Sequence, residues 1–237
     1  MKILQSRSTK IILVRQNQIP INKLLSPKYV DELRNLFRFG GATLLQDPAT
    51  TMSGINYTNG LYKSDDGKEI AIQSLTVEAR KIGLQLEGAS SYADEFYDVI
   101  KKFLSNLVEI EQEDLLIPVI AVDETELISE LKFSAHKLFS NTLYSLMSEN
   151  LLNKASDASG NLAKARLGGV SAVFQIDYEP LDFSLFADSR INIARKEFAI
   201  QIATGYSVKD NVFATKAPLS TPTHIELLRD MEDSLTK

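Results

Sequence analysis

The sequence predicts a mixed α+β fold in which antiparallel sheet segments are packed by about four helices. Three observations predict it. Apolar residues alternate through Ile70 and Ile72, and again through Leu75 and Val77, as a half-buried strand requires. Capped segments carry apolar residues at helical spacing, at 27–39, 91–108, 134–153 and 221–235. The chain is 44% hydrophobic and 24% charged over 237 residues, so it can bury a core without disulfides.

From the N-terminus, Ile11-Ile12-Leu13-Val14 is β-branched and reads as a strand. Ser26-Pro27 reads as a helix start, serine at N-cap and proline at N1, and Gly40-Gly41 as the end of that helix. Residues 47–68 hold Asp47-Pro48, Asn59-Gly60 and Asp65-Asp66-Gly67, and are expected to be loops with at most one short strand at Leu61-Tyr62.

The alternation changes phase at Gln73-Ser74, which predicts a β-bulge. Arg80-Lys81 then reads as a turn into a strand carrying Ile82, Leu84 and Leu86. Ser91 and Asp94 form a variant capping box on a helix whose apolar face runs through Phe96, Ile100 and Leu104. Residues 117–122 read as a buried strand, and 124–133 remain open between strand and helix.

Residues 155–169 are rich in Ala, Ser and Gly and read as a linker or loop. They divide the chain into an N-terminal α+β lobe (1–154) and a β-rich C-terminal lobe (170–237), unless both form one continuous domain. A boundary near 109–114 is the alternative. Strands are expected at 173–178, 181–187, 191–194, 198–203 and 212–214, then a final helix starting at Thr221-Pro222 or at Thr223, where Thr223 with Glu226 fits a capping box. Ala79-Arg80-Lys81 recurs as Ala194-Arg195-Lys196, each beside a strand with a helix beyond. Three residues are too few to establish duplication.

Composition narrows the functions. There is no cysteine, which excludes disulfides, thiolate nucleophiles and Cys-type zinc sites. The net charge of −5 argues against a general nucleic-acid binder. The longest apolar stretch, Leu115 to Val122, is broken by Pro118 and is far short of the ~20 residues of a membrane helix. No signal-peptide pattern opens the chain, so a soluble cytoplasmic protein is expected.

Catalytic constellations are weak. The two histidines, His136 and His224, read as structural; His224-Ile225-Glu226 lacks the cysteine partners of a zinc deaminase. Gly88-Ala89-Ser90-Ser91 precedes a helix, but Asp94 and Glu95 would repel a phosphate there. Two acidic sets imitate a Mg²⁺-dependent nuclease or phosphodiesterase. They are Asp47 with Asp66 and Lys68, and Asp123 with Glu130 and Lys132. Arg190, Arg195 and Lys196, with Tyr178 nearby, are the candidate nucleic-acid contacts.

The remaining signal is apolar excess. Phe139, Leu143, Leu146, Met147 and Leu151 exceed the narrow stripe that a surface helix needs. The expected function is therefore a non-enzymatic protein–protein interaction or assembly module, self-associating through this helix or an edge strand. No cofactor and no metal are expected.

Overall fold

The computed structural model describes residues 1–14, 19–46, 53–108, 118–138, 171–176 and 196–236. In chain order the elements are β1 (Lys2–Val14), α1 (Ile21–Leu24), α2 (Pro27–Leu36), β2 (Gly41–Gln46), β3 (Ser53–Lys63), β4 (Glu69–Glu78), β5 (Lys81–Glu87) and α3 (Ser90–Val108). Then come β6 (Pro118–Glu130), β7 (Ser171–Ile176), β8 (Lys196–Ile202), β9 (Val212–Ala217) and α4 (Thr221–Leu235). Short 3-10 turns lie at Ala135–Leu138 and Val208–Asp210.

The fold is mixed α+β, and its strands are not separate segments. They form one nine-stranded sheet in the order β2-β3-β4-β5-β1-β6-β9-β8-β7. Every pairing is antiparallel. The two first-comers, β1 and β6, lie side by side at the centre. Each is flanked by the last strand of the meander that follows it, β5 or β9, and each meander leads into a helix.

The register places the helices on one face. Ser8 and Thr125 are opposed on β1 and β6 and point the same way. Thr125 meets His224 of α4, while Lys10, two residues beyond Ser8, meets Asp94 of α3. The opposite face, which carries Arg7, Glu87, Glu126 and Lys216, has no helix over it among the described residues.

Two apolar clusters fill the helix side. Ile12, Leu33, Ile82, Leu84, Phe96 and Ile100 belong to the first. Leu127, Phe133, Ile200, Phe213 and Leu228 belong to the second. The clusters part on either side of the acidic connector 109–114, which lies outside the described residues, as do 139–170.

Several local expectations hold. Ser26 is the N-cap of α2 with Pro27 following, and α3 and α4 run close to their expected limits. Gln73 is the extra residue of a bulge, since Ile72 and Ser74 face Leu86 and Gln85 in succession. Residues 124–130 are strand.

Others are corrected. Residues 53–63, expected as loop, form one of the longer strands. Asn59-Gly60 is no turn. Asn59 takes the left-handed conformation (φ 57°) within β3, and a Cβ on Gly60 would lie 2.4 Å from the Phe39 ring. The dipeptide lets β3 kink past an aromatic side chain. The left-handed residue beyond α2 is Arg38 (φ 52°), not a glycine. Of the two expected starts of α4, the helix takes Thr221-Pro222, with Ser220 as N-cap, rather than Thr223. The expected capping box of Ser91 and Asp94 does not fit the start of α3, because Ser90 already opens the helix; the Asp94 carboxylate reaches Lys10 at 2.6 Å. No helix among the described residues is long and apolar enough to cross a membrane.

Candidate functional site

Asp123 and Glu130 do not converge, and the described members of the other acidic set, Asp66 and Lys68, are engaged with each other. Asp66 and Lys68 sit in the β3–β4 hairpin turn, where Gly67 supplies the positive φ of 84°. The Asp66 carboxylate accepts from Lys68 Nζ at 2.6 Å, from the Ser64 hydroxyl and from Tyr92 Oη at 3.1 Å. Lys68 foremost, then Ser64, holds its pKa well below the ordinary carboxylate range. Those bonds stitch the turn to α3 and leave no coordinating edge. Asp47 lies outside the described residues.

Asp123 and Glu130 share β6 but stand seven residues apart. An extended strand separates them by about 23 Å, far beyond the reach of one ion. Asp123 is instead opposed to Lys10, whose Nζ lies 2.9 Å from it and 2.6 Å from Asp94. Burial alone lowers the Lys10 pKa, but the hydrogen bonds that Lys10 donates to Asp94 and Asp123 outweigh it and leave it raised. Glu130 is exposed at the strand end, and Lys132 offers its backbone N–H to Glu232 Oε1 at 2.7 Å. Among the described residues no cluster of His, Asp and Glu is placed to hold a metal.

Of the basic set, Lys196 opens β8 and pairs with Glu124 at 3.3 Å; Lys216 holds the same carboxylate at 3.1 Å. Its charge is met within the protein rather than offered to a phosphate. Arg190, Arg195, and the apolar run Phe139, Leu143, Leu146, Met147 and Leu151 lie outside the described residues.

His224 is fully buried. The Thr125 hydroxyl donates to the Leu219 carbonyl at 3.1 Å and lies 2.7 Å from His224 Nδ1. That arrangement assigns the proton to Nδ1, which donates to Thr125. Nε2 has no partner. Burial pushes the imidazole pKa down to about 4, so it stays neutral. This is a structural histidine.

The face without a helix over it among the described residues carries a polar row across the sheet. Arg7 lies opposite Glu87 on β5 and Glu126 on β6, with contacts of 3.3 and 3.4 Å. Glu126 is opposite Lys216, Lys216 opposite Ala199, and Ala199 opposite Val173 on β7. Ala214 occupies the next row between Ile128 and Gln201. The two alanines leave the sheet surface low there, and the taller neighbours make a groove of about 410 Å³ that ends at β7.

On the helix side β7 borders a second groove of about 410 Å³. Leu138, Ala172, Phe174, Ile200, Met231 and Leu235 give it an apolar lining, with Lys137 and Asp230 at the rim. Strand β7 thus stands between two hollows. It pairs only with β8 among the described residues and ends the sheet. Its sequence, Ser-Ala-Val-Phe-Gln-Ile, has no charge and no proline. Val173 is 53% exposed and Phe174 62% exposed, on opposite faces.

Sequence reasoning placed a strand here but not its position in the sheet. The missing signal was the run from Ser171 to Ile176 without any charged residue, which distinguishes an unguarded edge only once the order of strands is known. The sequence matches no protein-family model and no curated protein.

Proposed function

We propose that this protein is a non-catalytic protein–protein interaction module that accepts an extended segment of a partner along β7. The observation that carries the reading is that β7 ends the sheet among the described residues, with a groove on each face. Edge strands of soluble proteins are ordinarily blunted by charge, proline or a bulge, because their open N–H and C=O groups template further pairing. The β7 strand has none of the first two.

Strand addition uses such an edge in a definite way. Main-chain hydrogen bonds supply affinity, and alternate side chains of the incoming strand fall into pockets on the two faces. Phe174 and Met231 line one such pocket, and Ala199 and Val173 the other. Among the described residues, the acids offered for metal chemistry are engaged in turns and ion pairs or lie far apart, which weakens the support for a nuclease.

The test is amide hydrogen exchange on β7. Its outward N–H groups are expected to gain protection as extended peptides are added, or as protein concentration rises if the partner is a second copy. Phe174→Lys is expected to abolish that gain while leaving the fold intact. If β7 amides exchange at the free-edge rate with every probe and at every concentration, the reading fails.

A further inference from the structure

The sheet ends a second time at β2, and we infer that this strand pairs with β2 of a second copy about a two-fold axis at Thr43. The inference stands apart from the reading of β7. Strand β2 pairs only with β3 among the described residues. Its sequence, Gly-Ala-Thr-Leu-Leu-Gln, has no charge and no proline to blunt it.

The ladder shows which of its backbone groups are open. The Gly40 N–H donates to the Asn59 carbonyl at 3.1 Å, and Gly41 lies opposite Thr58. Pairs along an antiparallel ladder alternate between hydrogen-bonded and non-hydrogen-bonded. Gly41, Thr43 and Leu45 are therefore the positions whose N–H and C=O point away from β3.

The order of side chains selects a second copy over an arbitrary strand. Two small residues, Gly41 and Ala42, precede Thr43, and two leucines follow it. An antiparallel pair centred on Thr43 sets Leu44 opposite the second copy's Ala42, and Leu45 opposite its Gly41. Every leucine then meets a small residue, and Thr43 meets Thr43. The same centre brings the open positions 41, 43 and 45 onto one another, so both hydrogen bonds form at each pair. It also covers Leu44, which is 58% exposed on the helix side, where Leu36 of α2 is 56% exposed. So short a pairing buries less than the ~1,200 Å² of a standard interface, so a weak dimer is expected, forming at about 0.1–1 mM.

Cross-linking tests the register. The chain has no cysteine, so Thr43→Cys carries a single thiol. In the inferred pair its two Cα atoms stand about 5.5 Å apart, within disulfide range, whereas those of Ala42→Cys stand more than about 7 Å apart. In oxidised glutathione, Thr43→Cys is expected to form covalent dimers at least about tenfold faster than Ala42→Cys. For the parent, sedimentation equilibrium is expected to show a concentration-dependent dimer, and the Thr43 and Leu45 amides to gain exchange protection with it. Thr43→Lys, which sets two cations face to face, is expected to keep the parent's thermal midpoint and stay monomeric. A parent monomeric at about 1 mM, a dimer with β2 amides unprotected, a Thr43→Lys dimer or equal cross-linking of the two cysteine variants would each overturn the inference. None of these results bears on β7, whose amides are read separately.

Discussion

Ser90 and Thr221 exchange hydrogen bonds: the Ser90 N–H donates to Thr221 Oγ1 at 2.8 Å, and the Thr221 N–H donates to Ser90 Oγ at 3.0 Å. Each is the first residue of its helix, α3 or α4. The first N–H groups of a helix have no partner within it, and here each helix supplies the other's. Ser8 and Thr125 are opposed directly in the central ladder. Both contacts join like positions in the two halves, which is what an approximate two-fold through the centre of the sheet requires.

Ser90 is 3% and Thr221 5% exposed, so losing either hydroxyl strands a buried N–H. Ser90→Ala and Thr221→Ala are each expected to cost about 1–3 kcal/mol. Thr221→Ser, which keeps the acceptor, is expected to cost under about 1 kcal/mol. Urea unfolding checks all three; alanine variants as stable as the parent would show that the exchange does not hold the halves.

The His224 imidazole is expected to make the protein acid-sensitive. Its folded pKa, about 4, lies below the ordinary 6.5. Above 6.5 it is neutral in both states and contributes nothing. Between 6.5 and 4 only the unfolded chain takes the proton, so stability falls as pH falls, by about 3 kcal/mol in all. His224→Asn keeps a donor for Thr125 and cannot titrate. Its stability, followed by denaturant titration across this range, is expected to decline less steeply than the parent's. Parallel declines would assign the acid sensitivity to carboxylates.

What the sequence showed and what it hid follow from the range of the forces involved. The bulge at Gln73 and the start of α2 at Ser26-Pro27 are set by neighbours in the chain, and both were legible. The kink at Asn59-Gly60 was not, because its cause is Phe39, twenty residues away in sequence and against the strand in space. Asp94 likewise has the spacing of a cap, but α3 opens at Ser90 and the carboxylate reaches Lys10 at 2.6 Å. The recurring Ala-Arg-Lys triplet does not occupy like positions. Arg80-Lys81 leads into β5, the last strand of its meander, whereas Arg195-Lys196 leads into β8, the strand before last. The candidate site was hidden most completely, since an edge is a property of strand order rather than of any segment.

Gly60→Ala is expected to destabilise despite the usual gain from removing a strand glycine. The new methyl would lie 2.4 and 2.5 Å from two Phe39 ring carbons and 3.1 Å from the Phe37 carbonyl. Relief by moving a buried ring costs about 1–3 kcal/mol, which exceeds the backbone-entropy gain of about 0.5–1 kcal/mol. In a Phe39→Leu background the same substitution is expected to cost less than half as much. A double-mutant cycle measures the coupling, and additivity would mean that the clash is relieved elsewhere.

Lys10 is 8% exposed and carries two ion pairs of unequal worth. The Asp94 side chain is 59% exposed and water screens it; that of Asp123 is 27% exposed and opposed in the ladder. Lys10→Met removes the cation but keeps the aliphatic stem, and is expected to cost about 2 kcal/mol, chiefly by leaving Asp123 unpaired. Asp123→Asn is expected to cost less, and Asp94→Asn about 0.5 kcal/mol. Because the folded pKa of Lys10 is raised above 10.5, its contribution is complete below that pH and is lost as pH rises past it. Thermal unfolding of the parent and of Lys10→Met is therefore expected to converge in strong alkali. A gap that persists there would trace the loss to packing of the stem instead of charge.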